Sequence, residues 1–442
     1  MANILKLASL LKAWWKMNKE LSLSYDILKK VYFDNAYANI MLNKSKSDDV
    51  NFGLVTKIVY GVIEKDIYLE YVISQHVKNY PKPSIMLLLK LGTYVLKNIN
   101  SIPEYAVVNE LVNLSKIGND KFVAGFVNST LKNIAQNEVI LPSKTANIYK
   151  YYSIKYSYPE WIIAKLLEIF DENELDEFFN AVLTDLTHVR IVKDREEFIK
   201  LLKDNNIDCM DSPLDDCVYV DYAKLLSHNE LSSHYTVQGL PSVICAKALG
   251  VISYSRVLDC TGAPGGKSGV IGGIDKSINV ICSDLYPHRV LLIKQYMKKL
   301  GLNNVEAVKQ NAVEYRSDWS EKFDYVLCDV PCSGVGVINK KPDIVLNRNP
   351  QDIVSLASTQ YKILSNNSKY VKPGGILQYS TCSILKEENQ DVVNRFLKEN
   401  PQFELTPIRT YGVNVKNQNN MYTFYPHISG TEGFFIARMK RK

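Results

Sequence analysis

Arginine is absent from the first 189 residues and cysteine from the first 208. None of the eight cysteines forms a Cys-x-x-Cys pair, which argues against a structural zinc site and leaves a metal out of the expected chemistry. No apolar run reaches the length of a membrane span. The most apolar stretch, from Ile85 to Ile99, is interrupted by Lys90 and Lys97. The opening residues, Met1-Ala-Asn-Ile-Leu-Lys, lack the basic, apolar and small-residue order of a secretory signal. A cytoplasmic protein without a membrane partner is expected. The chain also lacks a nucleotide-triphosphate loop. Its Gly266-Lys267-Ser268 ends such a motif, but Thr261 stands where the opening glycine is needed.

What is present is a chain of 442 residues, too long for one ordinary core, with 46% hydrophobic and 23% charged residues. The net charge of +6 is uneven. Residues 1–150 carry 19 lysines against 12 acidic residues, and the remainder is nearly balanced. A lysine-rich front half fits an accessory domain that meets a polyanion, or equally a solvated surface in a Lys- and Asn-rich proteome.

Apolar periodicity predicts helices throughout the front. They run from Ile4 to Trp14, Ser24 to Leu42, Val50 to Ile63, Tyr68 to His76, Ile85 to Ile99, Tyr105 to Ser115 and Lys121 to Ile134. Breaks are expected at Pro81 to Pro83, at Ile102-Pro103 and at Gly118-Asn119. The turn-rich stretch Leu141 to Asn147 marks a boundary. Beyond it come an aromatic segment from Tyr149 to Trp161, an acidic helix from Asp171 to Asn180, and a short β-α-β-like unit around Arg190 to Asp221. That unit is too small for a full core of its own. From Ser233 strands alternate with helices, the pattern of a parallel, doubly wound sheet. The expected organisation is an all-α bundle over 1–142, a small α+β linker over 143–232 and a Rossmann-like α/β domain over 233–442.

Ligands of such sheets bind beyond the carboxyl ends of the strands, and the chemistry-bearing residues fall there. The loop Thr261, Gly262, Ala263, Pro264, Gly265, Gly266 and Lys267 follows the first strand and opens a helix. Glycines let its backbone approach a ligand, and the helix N-terminus favours an anion. Asp284 closes the second strand, placed to accept from two ribose hydroxyls or to cap the next helix. Asn311 ends the third, placed to reach an adenine amine or to make a turn. Together they fit a nucleoside cofactor without a triphosphate, and S-adenosyl-L-methionine fits best. Two further strand ends deliver Asp329-Val-Pro-Cys332-Ser-Gly and Ser380-Thr-Cys382-Ser. Two thiols and a carboxylate suit nucleophilic chemistry on an electron-poor ring. Cys245, Cys260, Cys282 and Cys328 read as small buried hydrophobes.

With Ala263-Pro-Gly-Gly-Lys267 before them, the two cysteine motifs resemble the RNA cytosine-5 methyltransferases. Ile102-Pro-Glu-Tyr-Ala-Val-Val-Asn-Glu110 and Gly125-Phe-Val-Asn-Ser-Thr-Leu-Lys132 look like the RNA-binding domain typified by the antitermination factor NusB. Tyr156 to Trp161, Tyr235 to Gln238 and Thr431 to Phe435 complete a resemblance to the bacterial small-subunit (16S) ribosomal RNA cytosine-5 methyltransferases of the Sun/Fmu/RsmB type. Departures from the family pattern are Thr261-Gly262 in the loop, Asn311 in place of an aspartate, Gln238-Gly-Leu-Pro-Ser242, and Val345-Leu346 after Pro342-Asp-Ile344.

The resemblance implies methyl transfer from S-adenosyl-L-methionine to cytosine carbon 5. Residues 261–267, Asp284, Asn311 and Asp329 would hold the cofactor. Cys382 would be the nucleophile and Cys332 would assist product release. The residues alone leave the choice of thiol open, because both sit at strand ends. A helix beginning near Lys386 would lower the Cys382 pKa, whereas Cys332 lies in the Pro-Cys context that DNA cytosine methyltransferases use. Asp329 is expected to protonate or hydrogen-bond ring nitrogen 3. The implied partner is 16S ribosomal RNA or a small-subunit assembly intermediate, met by a monomer. Alternatives are methylation of another RNA such as transfer RNA, or a non-catalytic RNA-binding assembly factor. Tyr149, Tyr151, Tyr152 and Tyr156 either stack bases or pack in the protein.

Overall fold

The computed structural model describes residues 19–47, 49–117 and 121–442. The periodic run at Ile4 to Trp14 and the Gly118-Asn119 break lie outside them. The chain forms two compact units, one of residues 1–171 with 338–348 and one of residues 172–337 with 349–442.

The first unit is helical. The apolar stretch at Ile85 forms the helix Pro83–Asn98, with a proline in its first turn and a continuous buried run from Ile85 to Val95. The lysine that interrupts that run is buried too. Lys90 Nζ lies 2.6 Å from both Asp66 and Glu70, so the interior charge is doubly paired. The helix is enclosed by others at Phe52–Glu64, Asp66–Ser74, Glu104–Ser115 and Lys121–Gln136. The predicted single helix from Ser24 to Leu42 is two, at 19–33 and Ala38–Lys44, parted where Asn35 takes a positive φ of 53°. Two more helices, Ile148–Tyr156 and Glu160–Leu167, belong to this unit. The Ser157 hydroxyl accepts from the free N–H groups of Ile67 and Tyr68 at the start of another helix. Tyr152 is fully buried and stacked on Tyr156, whereas Tyr149 is exposed. Among the described residues no helix is long and apolar enough to cross a membrane.

The second unit holds two sheets. The small one contains β1 (Thr187–Ile191), β2 (Cys209–Asp211), β3 (Cys217–Val220) and β4 (Tyr235–Val237) in the order β2-β3-β1-β4. All its pairings are antiparallel, which corrects the β-α-β reading. Alternation marks a strand but not the direction of its partner, and β4 lies beyond the stretch read as that unit. The sheet has its own core of Val189, Phe198, Leu202, Val218 and Val220, more than was expected of so short a segment.

The large sheet begins with β5 (Arg256–Asp259), β6 (Asn279–Asp284), β7 (Val305–Lys309), β8 (Phe323–Asp329) and β9 (Val371–Thr381). These five are parallel in the order β7-β6-β5-β8-β9. The apolar runs of β5, β6, β8 and β9 are buried, as central parallel strands require, whereas the edge strand β7 is only half-buried. The helix Pro350–Asn367 starts with a capping box between Asn349 and Asp352. The helix Pro287–Leu300 stops at Gly301. The last strand, β13 (Phe434–Arg441), pairs antiparallel with β9. It carries a hairpin of β11 (Lys416–Gln418) and β12 (Met421–Phe424), and also β10 (Phe403–Thr406). The sheet is therefore mixed, with an antiparallel edge that the strand-helix alternation did not announce.

Candidate active site

The switch from β5 outward to β6 on one side and β8 on the other opens a crevice above the strand ends. The glycine loop lines it. Thr261 donates its hydroxyl to the Asp329 carbonyl at 2.8 Å, tying the loop to the next strand. A Cβ at Gly262 would meet Cys282 Sγ at 2.4 Å and Asp259 Cγ at 2.7 Å, so this backbone lies directly on its floor. The Ala263–Pro264 peptide is cis, and Gly265 has φ +108° at the start of the helix Gly266–Gly272. Asp259 is fully buried under the loop, with one oxygen taking the Ser268 hydroxyl at 2.7 Å and the other unpartnered. Burial pushes its carboxyl up to about 6.

Asp284 ends β6 almost fully buried. Its oxygens have only long partners, the Tyr286 N–H at 3.3 Å and Arg289 at 3.4 Å. Lone pairs remain to accept a diol. Exposed Leu285, Tyr286 and Val313 rim the same ends of β6 and β7. A glycine cradle, a loosely engaged carboxylate and an apolar rim fit S-adenosyl-L-methionine. Asn311 makes a local turn, donating to Glu314 at 2.8 Å and accepting from Val313 N–H at 3.3 Å.

On the other side, β8 and β9 are parallel neighbours with Asp329 opposite Ser380. One Asp329 oxygen lies 2.6 Å from Lys267 Nζ and the other accepts the Ser380 hydroxyl at 2.7 Å. Burial alone would push the Lys267 ammonium down, but the carboxylates of Asp329 and Asp259 and the Cys245 thiol hold it above its ordinary range. The chain beyond each strand then turns so that Cys332 Sγ and Cys382 Sγ lie 2.8 Å apart as free thiols. The crossing depends on two glycines: a Cβ at Gly336 would strike the Gly433 carbonyl at 2.5 Å and the Cys382 carbonyl at 2.8 Å.

The two thiols are not equivalent. The hydrogen bond from Cys332 lowers Cys382 below the ordinary thiol range, with Lys267 adding to the effect against burial and Asp329. The same bond, with burial, holds Cys332 well above it. The expected helix contribution is corrected. Lys386–Glu388 is a 3-10 turn, and the α-helix begins only at Gln390. The lowering at Cys382 thus comes first from the neighbouring thiol. Iodoacetamide should label Cys382 first, at a pH below that of an unperturbed thiol near about 8.5. Labelling should fall as pH drops through the lowered value, and Cys332 should react only in stronger base. Mass-spectrometric mapping of the labelled peptides across pH would check this, and a Cys332→Ala variant should move the Cys382 profile upward.

Cys245, Cys260, Cys282 and Cys328 are buried as expected, and burial pushes Cys245 up to about 12. The sequence reading assigned no part to Ser380, Gln360 or Glu388. Ser380 lay inside a quoted motif, whereas Glu388 carried no local signal. It is fully buried below both cysteine loops.

Comparison with known proteins places the chain among relatives of similar sequence and fold. Residues 246–440 match the family described as 16S rRNA methyltransferase RsmB/F, and residues 18–136 match the NusB family. The chain is 31% identical over 443 residues to "Probable ribosomal RNA small subunit methyltransferase B" of Bacillus subtilis, covering 95% of this chain and 98% of that protein. It is 28% identical to "Ribosomal RNA small subunit methyltransferase B" of Photorhabdus laumondii, covering 88% and 90%. Among solved structures, PH0851 superposes with a TM-score of 0.81 at 21% identity, over 96% of this chain and 99% of that one. NSun6 from Pyrococcus horikoshii with SFG gives 0.56 at 20% identity, over 68% and 98%.

Proposed function

The chain belongs to the family of 16S rRNA methyltransferases RsmB/F, and from that premise we propose that it methylates carbon 5 of a cytidine in 16S ribosomal RNA through a covalent Cys382 adduct at carbon 6. The observation that carries this reading is the thiol pair, 2.8 Å apart beside an Asp329 held by Lys267 and Ser380. A purely structural pair would not need a carboxylate and an ammonium at its side.

The cofactor is S-adenosyl-L-methionine, which supplies an electrophilic methyl group. The loop 261–267 and Asp284 hold it, with Asn311 and Asp329 at the same strand ends. The Cys382 thiolate forms a bond to carbon 6 of the cytosine and makes carbon 5 nucleophilic. Asp329 takes the ring edge. Both its oxygens already accept one hydrogen bond, and each keeps a lone pair for the exocyclic amine, or for N3–H once the anionic adduct has taken a proton from water at N3. After carbon 5 is methylated, water takes its proton, the electron pair of that C–H bond forms the C5–C6 double bond, and the S–C6 pair leaves with sulfur to restore the Cys382 thiolate. Cys332 donates its S–H to the departing sulfur, and a sulfur of lower pKa leaves faster. The target base must leave its stack to be reached.

In this division of labour residues 1–142 hold flanking RNA, 143–232 link the parts and 233–442 carry the transfer. The excess of lysine over residues 1–150 supports phosphate contact, which weakens with salt. The test is transfer of a labelled methyl group to small-subunit ribosomal RNA and to transfer RNA, followed by bisulfite sequencing. Label at one cytosine of 16S RNA is expected. Label on transfer RNA alone, on another base, or on nothing while cofactor binds would overturn the assignment.

A further inference from the structure

We infer that Glu388 is a positioning residue that sets the gap between Cys332 and Cys382, an inference that rests on the functional reading above. Its carboxylate sits between the two residues that directly follow the cysteines. One oxygen accepts the Ser333 N–H at 2.8 Å and the Gln360 amide at 2.9 Å. The other accepts the Ser333 and Ser383 hydroxyls, both at 2.5 Å. Gln360 also donates to the Pro331 carbonyl at 2.9 Å, and the Tyr379 hydroxyl donates to the Glu388 carbonyl at 2.5 Å. One side chain therefore clamps the loop after β8 to the loop after β9, beneath both thiols.

The charge balance is unusual. The carboxylate receives four hydrogen bonds, but no lysine or arginine pairs with it among the described residues. Its charge also opposes the thiolate at both cysteines. An uncompensated buried anion beside a thiolate works against nucleophile formation, so the gain must lie elsewhere. The geometry gives it: the acceptor holds two loops in register from four donors. Cys332 reaches the Cys382 sulfur only while that register holds, and the hydrogen bond aids both attack and release.

The experiment uses the full-length protein without RNA, so that it reads thiol geometry independently of methyl transfer. Diamide takes two electrons and two protons from the thiol pair to give one disulfide, and is itself reduced to the hydrazine. Glu388→Ala should slow closure at least about tenfold, since a displacement near 1 Å has effects of this order or larger in positioned reactions. The melting temperature should stay within a few degrees. Glu388→Gln should recover most of the rate, because the amide oxygen still accepts from Ser333 N–H and the two serine hydroxyls can turn to accept from its NH2. In the same variant, alkylation of Cys382 should shift to lower pH, because a negative charge has been removed. A folded Glu388→Ala protein that closes at the wild-type rate would overturn the inference. If that variant does not fold, Ser333→Ala with Ser383→Ala removes the two hydroxyl donors, and an unchanged rate there overturns it equally. Slowed closure in a protein whose wild type labels no cytosine would uphold the positioning role and sink the functional reading instead.

Discussion

Cys382→Ala is expected to lose methyl transfer to below detection, a fall on the order of 10⁵-fold or more, as when other enzymes lose a covalent nucleophile. No RNA adduct should form. Cys332→Ala should behave differently. The departing thiolate then lacks a hydrogen bond worth about 1.5–3 kcal/mol to a charged sulfur, so release should slow roughly 10- to 100-fold. An RNA-protein adduct that survives denaturing electrophoresis should accumulate. The asymmetry follows from the electrostatics: the two sulfurs lie 2.8 Å apart, where either could donate, and the contact lowers Cys382 and raises Cys332. Adduct in Cys382→Ala, with none in Cys332→Ala, would reverse the roles. The variants themselves should fold, because each removes a single sulfur at a half-buried position just beyond a strand end.

Asp329→Asn is expected to lower kcat/KM for RNA by about 10²- to 10⁴-fold, the range for a positioned acid or base. The amide is isosteric but places an NH2 group where a carboxylate oxygen now faces either Ser380 or Lys267. It also removes the anion that holds the buried Lys267 ammonium in its charged state. Lys267→Met is the complementary test. The Lys267 charge favours the Cys382 thiolate and the Asp329 charge opposes it. Loss of the lysine should therefore move the rising, acid-side limb of the rate profile to higher pH, and loss of Asp329 should move it to lower pH. Single-turnover rates across pH separate the two. A shift in the same direction for both would rule out the electrostatic account. The cofactor KM should change less for Asp329→Asn than for a Gly262→Ala variant, whose added methyl group has no space above Cys282 and Asp259.

How much of this could be read from the residues alone varied with the range of the interaction. Most helix bounds moved by only a few residues, because their 3.6-residue periodicity is local. The Ser24 to Leu42 stretch was misread as one helix, since a single positive-φ residue at Asn35 breaks it without interrupting the apolar pattern. The antiparallel edge and the small antiparallel sheet were missed for a related reason: strand direction is a property of pairs, not of one strand. Asn311 shows the same limit at the site. Its type and place suggested either an adenine contact or a turn, and the structure shows the turn, with its side chain on Glu314 and Val313.

The sequence by itself determined the helical front, the glycine loop, the cysteine motifs and the family, since each rests on residue types at short, countable spacings. Tertiary structure alone decided the order of the sheet, the pairing of Lys267 with Asp329, and the place of Glu388 beneath both thiols. It also decided which thiol is lowered. That difference arises from one hydrogen bond between sulfurs 50 positions apart in the chain, and a contact of that kind exists only once parallel strands have brought their ends together.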